Sequence, residues 1–255
     1  MTQQKQINWR TMDVTKVQLK DKRIVVTGAA DGIGRAVTIG LARAGATVIM
    51  LDRKARHLEK LYDQIVAENA SEPVIVPMDL EELTPESATT FAQGIYDEFG
   101  ALDGLLHNAG ELGSPSPMDQ YDMAYWNKVM QINSHAPFLL TRALLPVLRC
   151  APSANVIFTT ADCAIKPAAY WGAYAIAYAA VEAQMRIWSE ELLQTSKIRV
   201  NSLDPGAVRT SLRRRSHPGE DQSSLTMPHE IVPVYIQLLG GNHDHAGEHL
   251  TISGG

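Results

Sequence analysis

The chain has 255 residues, 45% hydrophobic and 20% charged, which excludes a disordered or fibrous chain and supplies a core that needs no staples. Its 23 basic and 28 acidic side chains leave a net charge of −5, which disfavours broad binding to nucleic acid or an anionic membrane. Two cysteines, Cys150 and Cys163, lack disulfide or metal-ligand spacing and read as reduced core thiols of a cytoplasmic protein.

Residues 1–20 carry Lys5, Arg10, Lys16 and Lys20 and no apolar block. They read as a peripheral arm rather than a signal peptide, ahead of one unit over 21–255. A β-branched strand at 23–27 comes first. An Ala-rich helix at 33–44 follows and stops at Gly45, then a strand at 47–51. A helix over 55–70 places Leu58, Leu61, Ile65 and Val66 at helical spacing, before a strand at 74–77. The helix over 85–99 starts on Pro85 and stops at Gly100. A strand at 102–107, a long helix at 122–149, a strand at 155–160 and a long helix at 170–195 follow. Strands at 199–203 and 248–253 complete the set, with an irregular stretch at 211–228. The uncharged segment 167–181, 15 residues long, is short of a bilayer span. Short apolar strands alternating with helices predict an α/β, doubly wound Rossmann fold. Its sheet would be seven-stranded and mainly parallel, with helices on both faces.

The first strand runs into Thr27-Gly28-Ala29-Ala30-Asp31-Gly32-Ile33-Gly34, which opens the first helix. Gly28, Gly32 and Gly34 permit a tight turn and close approach of backbone to a pyrophosphate, with Asp31 and Ile33 beside it. The helix N-terminus aims unpaired N–H groups at that anion. The second strand ends at Asp52, 18 residues beyond Gly34, where an acidic side chain accepts hydrogen bonds from an adenosine ribose. A carboxylate there repels a 2′-phosphate and argues for NAD over NADP; Arg53 and Lys54 argue the other way. Asp79-Leu80 follows the third strand and Asn108-Ala109-Gly110 the fourth, both at carboxyl ends where open α/β sheets bind ligands.

Taken together, these residues resemble the short-chain dehydrogenase/reductase family over about residues 20–255. The resemblance rests on the 27–34 loop, Asp79, Asn108-Ala109-Gly110, Asn133, Tyr174 and Pro205-Gly206. It implies a hydride exchange between a nicotinamide cofactor and a small carbonyl or alcohol. It implies that Pro205, Gly206, Val208 and Thr210 line the nicotinamide and pyrophosphate. It also implies a homodimer or homotetramer built through the two long helices.

By the same resemblance, Tyr174 is the acid/base and Asn133 anchors a water in the proton path. The family's Lys, four residues after the Tyr, falls on Tyr178, and its Ser, 13 residues before, falls on Ala161. A Tyr without a neighbouring ammonium keeps a pKa of about 10, which forfeits roughly 4 kcal/mol of general-base advantage. Tyr178 can still offer a hydroxyl to the ribose. Lys166, just before the helix, reads as a solvated loop residue. Two readings stand: an oxidoreductase with an atypical site, or a dinucleotide-binding protein that acts as sensor, scaffold or inactive oligomer partner. A Rossmann-like methyltransferase explains fewer of the motifs. His243, His245 and His249 read as a surface cluster without a metal. Arg209 with Arg213, Arg214 and Arg215 faces an anionic substrate or forms a solvated flap. Met118, Met123 and Met130 read as packing or pocket-wall residues.

Overall fold

Seven apolar runs become strands at the expected places, and an eighth strand comes from the N-terminal arm. The structure, a computed structural model, describes residues 4–8, 10, 12, 14, 17–241 and 243–253. In chain order, β1 (Gln4–Asn8), β2 (Arg23–Thr27), α1 (Gly32–Arg43), β3 (Thr47–Asp52) and α2 (Ala55–Ala67) lead. Then come β4 (Val74–Pro77), α3 (Pro85–Phe99), β5 (Gly104–His107), α4 (Met123–Met130) and α5 (Ala136–Leu148). The chain ends with β6 (Ala154–Thr159), α6 (Gly172–Leu193), β7 (Ile198–Asp204), α7 (Ser211–Ser216), α8 (Val232–Gly240) and β8 (His249–Ser253).

The sheet therefore has eight strands, not seven, in the order β1-β8-β7-β6-β5-β2-β3-β4. Every neighbouring pair is parallel. From β2 the chain winds outward through β3 and β4, then returns to the other side of β2 and winds through β5, β6 and β7. The winding direction reverses between β2 and β5, which opens a crevice at their carboxyl ends.

Alternation along the strands feeds two apolar layers. Ile24 and Val26 of β2 point to the layer that holds Val37 and Leu41 of α1 and Leu238 of α8. Val25 and Leu105 point to the other, with Ala92 of α3, Leu144 of α5 and Met185 of α6. The helix ends follow from capping chemistry. Asp31 caps α1, and Thr84 with Ser87 forms a capping box on α3 ahead of Pro85. Gly100 ends α3 at φ +69°, a left-handed conformation that suits glycine.

Several expectations are corrected. The long helix expected at 122–149 is α4 and α5, joined by a π-helical turn over Gln131–His135. The stretch 211–228 contains the short helix α7. α8 was not expected at all, because it packs on both α1 and the sheet and carries Gln237 as its one side chain outside the apolar set. Cys150 is exposed and only Cys163 is buried. Met118 and Met123 are exposed, whereas Met130 packs against a buried cluster. His249 is not at the surface: its Nδ1 lies 2.8 Å from the buried Glu182 carboxylate. Among the described residues no helix is long and apolar enough to cross a membrane, and no group of metal-ligating side chains forms.

Candidate functional site

A cavity of about 660 Å³ occupies the crevice at the carboxyl ends of the strands. At its nucleotide end, Gly28 and Gly32 take φ of +66° and +53° to turn β2 into α1. A Cβ on Gly34 would stand 2.1 Å from Gly28 O, so the turn closes only around glycine. The Thr27 hydroxyl accepts the Asn108 and Ala109 N–H groups at 3.0 and 3.1 Å and ties the end of β2 to the loop after β5. Among the described residues the backbone N–H groups of Ile33 and Gly34, in the first turn of α1, meet no backbone acceptor. Two unused donors at a helix N-terminus beside a cavity suit a phosphate.

Most positions singled out in the sequence come together here. Asp31, Ile33, Arg53, Asp79, Leu80 and the 108–110 loop line one part of the cavity. Tyr174, Tyr178, Pro205, Gly206, Val208 and Thr210 line the other. Gly34 and Asn133 stand outside the lining. Asn133 is buried and spends its amide on one neighbour: Oδ1 accepts the Glu111 N–H and Nδ2 donates to Glu111 O, each at 2.8 Å. Lys166 is exposed and does not line the cavity.

At the reacting end, the Tyr174 and Tyr178 rings meet edge to face at 4.7 Å, one turn apart on α6. Burial pushes Tyr178 up to about 12 and Tyr174 well above its ordinary value, the latter also raised by Tyr178 and Cys163. Both phenols are therefore neutral at pH 7. Ala161 lines the cavity beside Thr160 and Asp162. Asp204, the last residue of β7, accepts the Gly206 N–H at 2.8 Å, and burial raises its carboxyl.

α7 forms the roof. The Ser211 hydroxyl donates to Asp31 Oδ2 at 2.9 Å, and Arg215 pairs with Glu111 at 3.5 Å. Arg213 grips Glu220 through Nε and Nη2, each at 2.6 Å. So two of the flap arginines do face the cavity, each already paired, while Arg209 is exposed outside it. Sequence reasoning missed Glu111, Asp204 and the wall role of Trp171. Asp204 had a readable signal, its place directly before Pro205-Gly206 at the end of a strand.

The matched family is short chain dehydrogenase, over residues 22–221. An uncharacterized oxidoreductase of Escherichia coli K12, YciK, is 40% identical over 222 residues, 87% of each chain. A short chain dehydrogenase from Shigella flexneri 2a str. 301, complexed with NADP, superposes with a TM-score of 0.88. It is 38% identical, over 93% of this chain and 98% of that one. A short chain dehydrogenase from Escherichia coli CFT073 gives the same TM-score, identity and coverage and was complexed with NADPH.

These complexes overturn the expectation of NAD over NADP. Asp52 does not hold a free carboxylate toward a ribose: Oδ2 accepts the Ala30 N–H at 3.2 Å and Oδ1 the Lys54 N–H at 2.9 Å. Arg53 and Lys54, from the same strand end, line the cavity as cations. With its glycine turn, its switch-point crevice and these relatives, the chain belongs to the short chain dehydrogenase family of oxidoreductases.

Proposed function

We propose that this chain binds NADP(H) and acts in the reductive direction, with Ala161 and Tyr178 where family enzymes carry Ser and Lys. The N–H groups of Ile33 and Gly34 would hold the pyrophosphate, and Arg53 with Lys54 the 2′-phosphate. The Tyr178 hydroxyl would face the nicotinamide ribose. The dinucleotide, when bound, supplies a hydride to a polarised double bond.

The observation that carries the reading is the Tyr174–Tyr178 pair. Among the described residues the only lysine lining the cavity is Lys54, at the nucleotide end. Without an ammonium beside it, Tyr174 holds its proton. A neutral phenol can donate that proton to a reduced substrate but is a poor base for oxidising an alcohol. Asn133 serves by fixing Glu111 and the loop after β5. The pairing of two copies through α5 and α6 fits the apolar side chains those helices expose, Phe138, Ile176, Ile187 and Leu193.

Two measurements test this. Quenching of tryptophan fluorescence should show NADPH binding about tenfold more tightly than NADH, a gap of ~1.4 kcal/mol that Arg53→Ala with Lys54→Ala removes. Equal affinities, or no binding, would sink the assignment. Ala161→Ser with Tyr178→Lys should then raise ketone reduction by NADPH at least ~100-fold, the low end of what a completed acid/base site contributes. A native protein that already reduces ketones as fast as the double variant would favour a complete site by another route.

A further inference from the structure

The reacting end of the cavity carries a charge pattern that a neutral carbonyl substrate does not explain. Trp171, Tyr174 and Tyr178 form a continuous aromatic wall, with ring centroids 5.7 Å and 4.7 Å apart. Asp162 and Asp204 line the same cavity as these rings. The Asp162 carboxylate has no hydrogen bond or ion pair among the described residues. Asp204 is only 9% exposed, and of its two oxygens just Oδ1 has a partner, the Gly206 N–H. Thr160, 3% exposed and part of the same lining, leaves its Oγ1 without a partner. The nearby cations are already matched, Arg213 by Glu220 and Arg215 by Glu111.

Aromatic faces attract cations through their quadrupoles. A buried carboxylate such as Asp204 is costly unless something supplies the opposite charge, whereas the exposed Asp162 keeps its charge in water. For Asp204 that charge comes only at a distance, from His249 and from Arg213, whose guanidinium also acts on Asp162 but is gripped by Glu220. We infer that the reacting end takes an organic nitrogen cation, an iminium ion or a methylated ammonium, seated on Trp171, Tyr174 and Tyr178 and countered by Asp162 and Asp204.

An iminium ion also suits a site without an activated base. Its carbon gains one C–H bond from the hydride of a reduced nicotinamide dinucleotide, and its C=N π pair becomes the nitrogen lone pair. The positive charge leaves on the oxidised dinucleotide, and no proton is drawn from Tyr174. This substrate role rests on the reading of the site as an NADP(H) reductase; the binding of the cation does not.

Calorimetry on the full chain separates the two. The probes are N-methyl-3,4-dihydroisoquinolinium, the neutral 1-tetralone of similar shape, and the anion 2-naphthoate. The cation should bind at least about tenfold more tightly than the ketone, and Asp162→Asn should remove most of that margin. Asp162 is exposed, so its replacement does not threaten the fold; Asp204→Asn provides a second, buried test. The preference should also weaken with added salt. The inference is overturned if the ketone or the anion binds as well as the cation, if the cation does not bind, or if both variants leave its affinity unchanged. Failure of NADPH to bind, with the cation preference intact, would remove the reductase reading and leave the cation site standing.

Discussion

His107 ends β5 inside the protein, its Nε2 2.8 Å from Thr141 Oγ1 and its ring stacked on Phe158 at 4.7 Å. Burial lowers its pKa to about 3, so it is neutral in the folded chain. In the unfolded chain it titrates near 6.5. Between those values the unfolded state binds the extra proton. The contribution is therefore fully present above pH ~6.5 and is lost as pH falls toward about 3, at up to ~1.4 kcal/mol per pH unit. Urea denaturation at pH 4.5, 5.5 and 6.5 should show this slope, and His107→Gln should flatten it by about one proton while lowering stability overall. An equal slope in the variant would mean that His107 is protonated in the fold.

The turn between β2 and α1 shows how one element can fix a site. Gly34 faces Gly28 O and Asn108 Nδ2, with a would-be Cβ 2.1 and 2.6 Å from them. Gly34→Ala must push β2 away from the loop after β5, and should cost roughly 2–3 kcal/mol in chemical denaturation, in line with other overpacked sites. Its effect on NADPH affinity should exceed that of Arg53→Ala, because it displaces the N–H donors themselves. A variant as stable as the parent and unchanged in binding would contradict the tight turn. This element was legible in the sequence because a glycine pattern between a β-branched strand and a helix has few other uses. The strands were legible for a similar reason: those buried on both faces show as unbroken apolar runs. α8 was not, since a helix covered on two sides has no polar face to set a period. The acid pair Asp162 and Asp204 was legible only in part. Asp204 ends β7 and Asp162 follows β6 by three residues, but that both line one cavity with Trp171 depends on how β6 and β7 sit side by side.

At the scale of the molecule, the N-terminal strand lies far from the switch point, although only β8 stands between it and β7, whose end lines the cavity. β1 is the outer edge, and β8, β7, β6 and β5 separate it from β2. Its sequence, Gln4-Lys5-Gln6-Ile7-Asn8, has one apolar residue and no strand-like alternation, so pairing with β8 rather than intrinsic preference makes it a strand. Ile7 is buried against the core layer that holds α1 and α8, and Lys5 reaches Glu248 at 3.6 Å. The exposed ion pair adds little. Burial of Ile7 should contribute about 2 kcal/mol, less some ordering of the arm. Removal of residues 1–8 should therefore lower the urea midpoint by the equivalent of about 2 kcal/mol. It also uncovers the β8 edge, whose free N–H and C=O groups invite pairing with another chain. The truncated protein should consequently associate more at high concentration in size-exclusion chromatography. NADPH affinity should stay unchanged, because four strands separate the cut from the switch point. A truncated protein with the parent's midpoint would mean that β1 is not held on the sheet in solution. A loss of NADPH affinity would instead tie the arm to the site, which the sheet order gives no reason to expect.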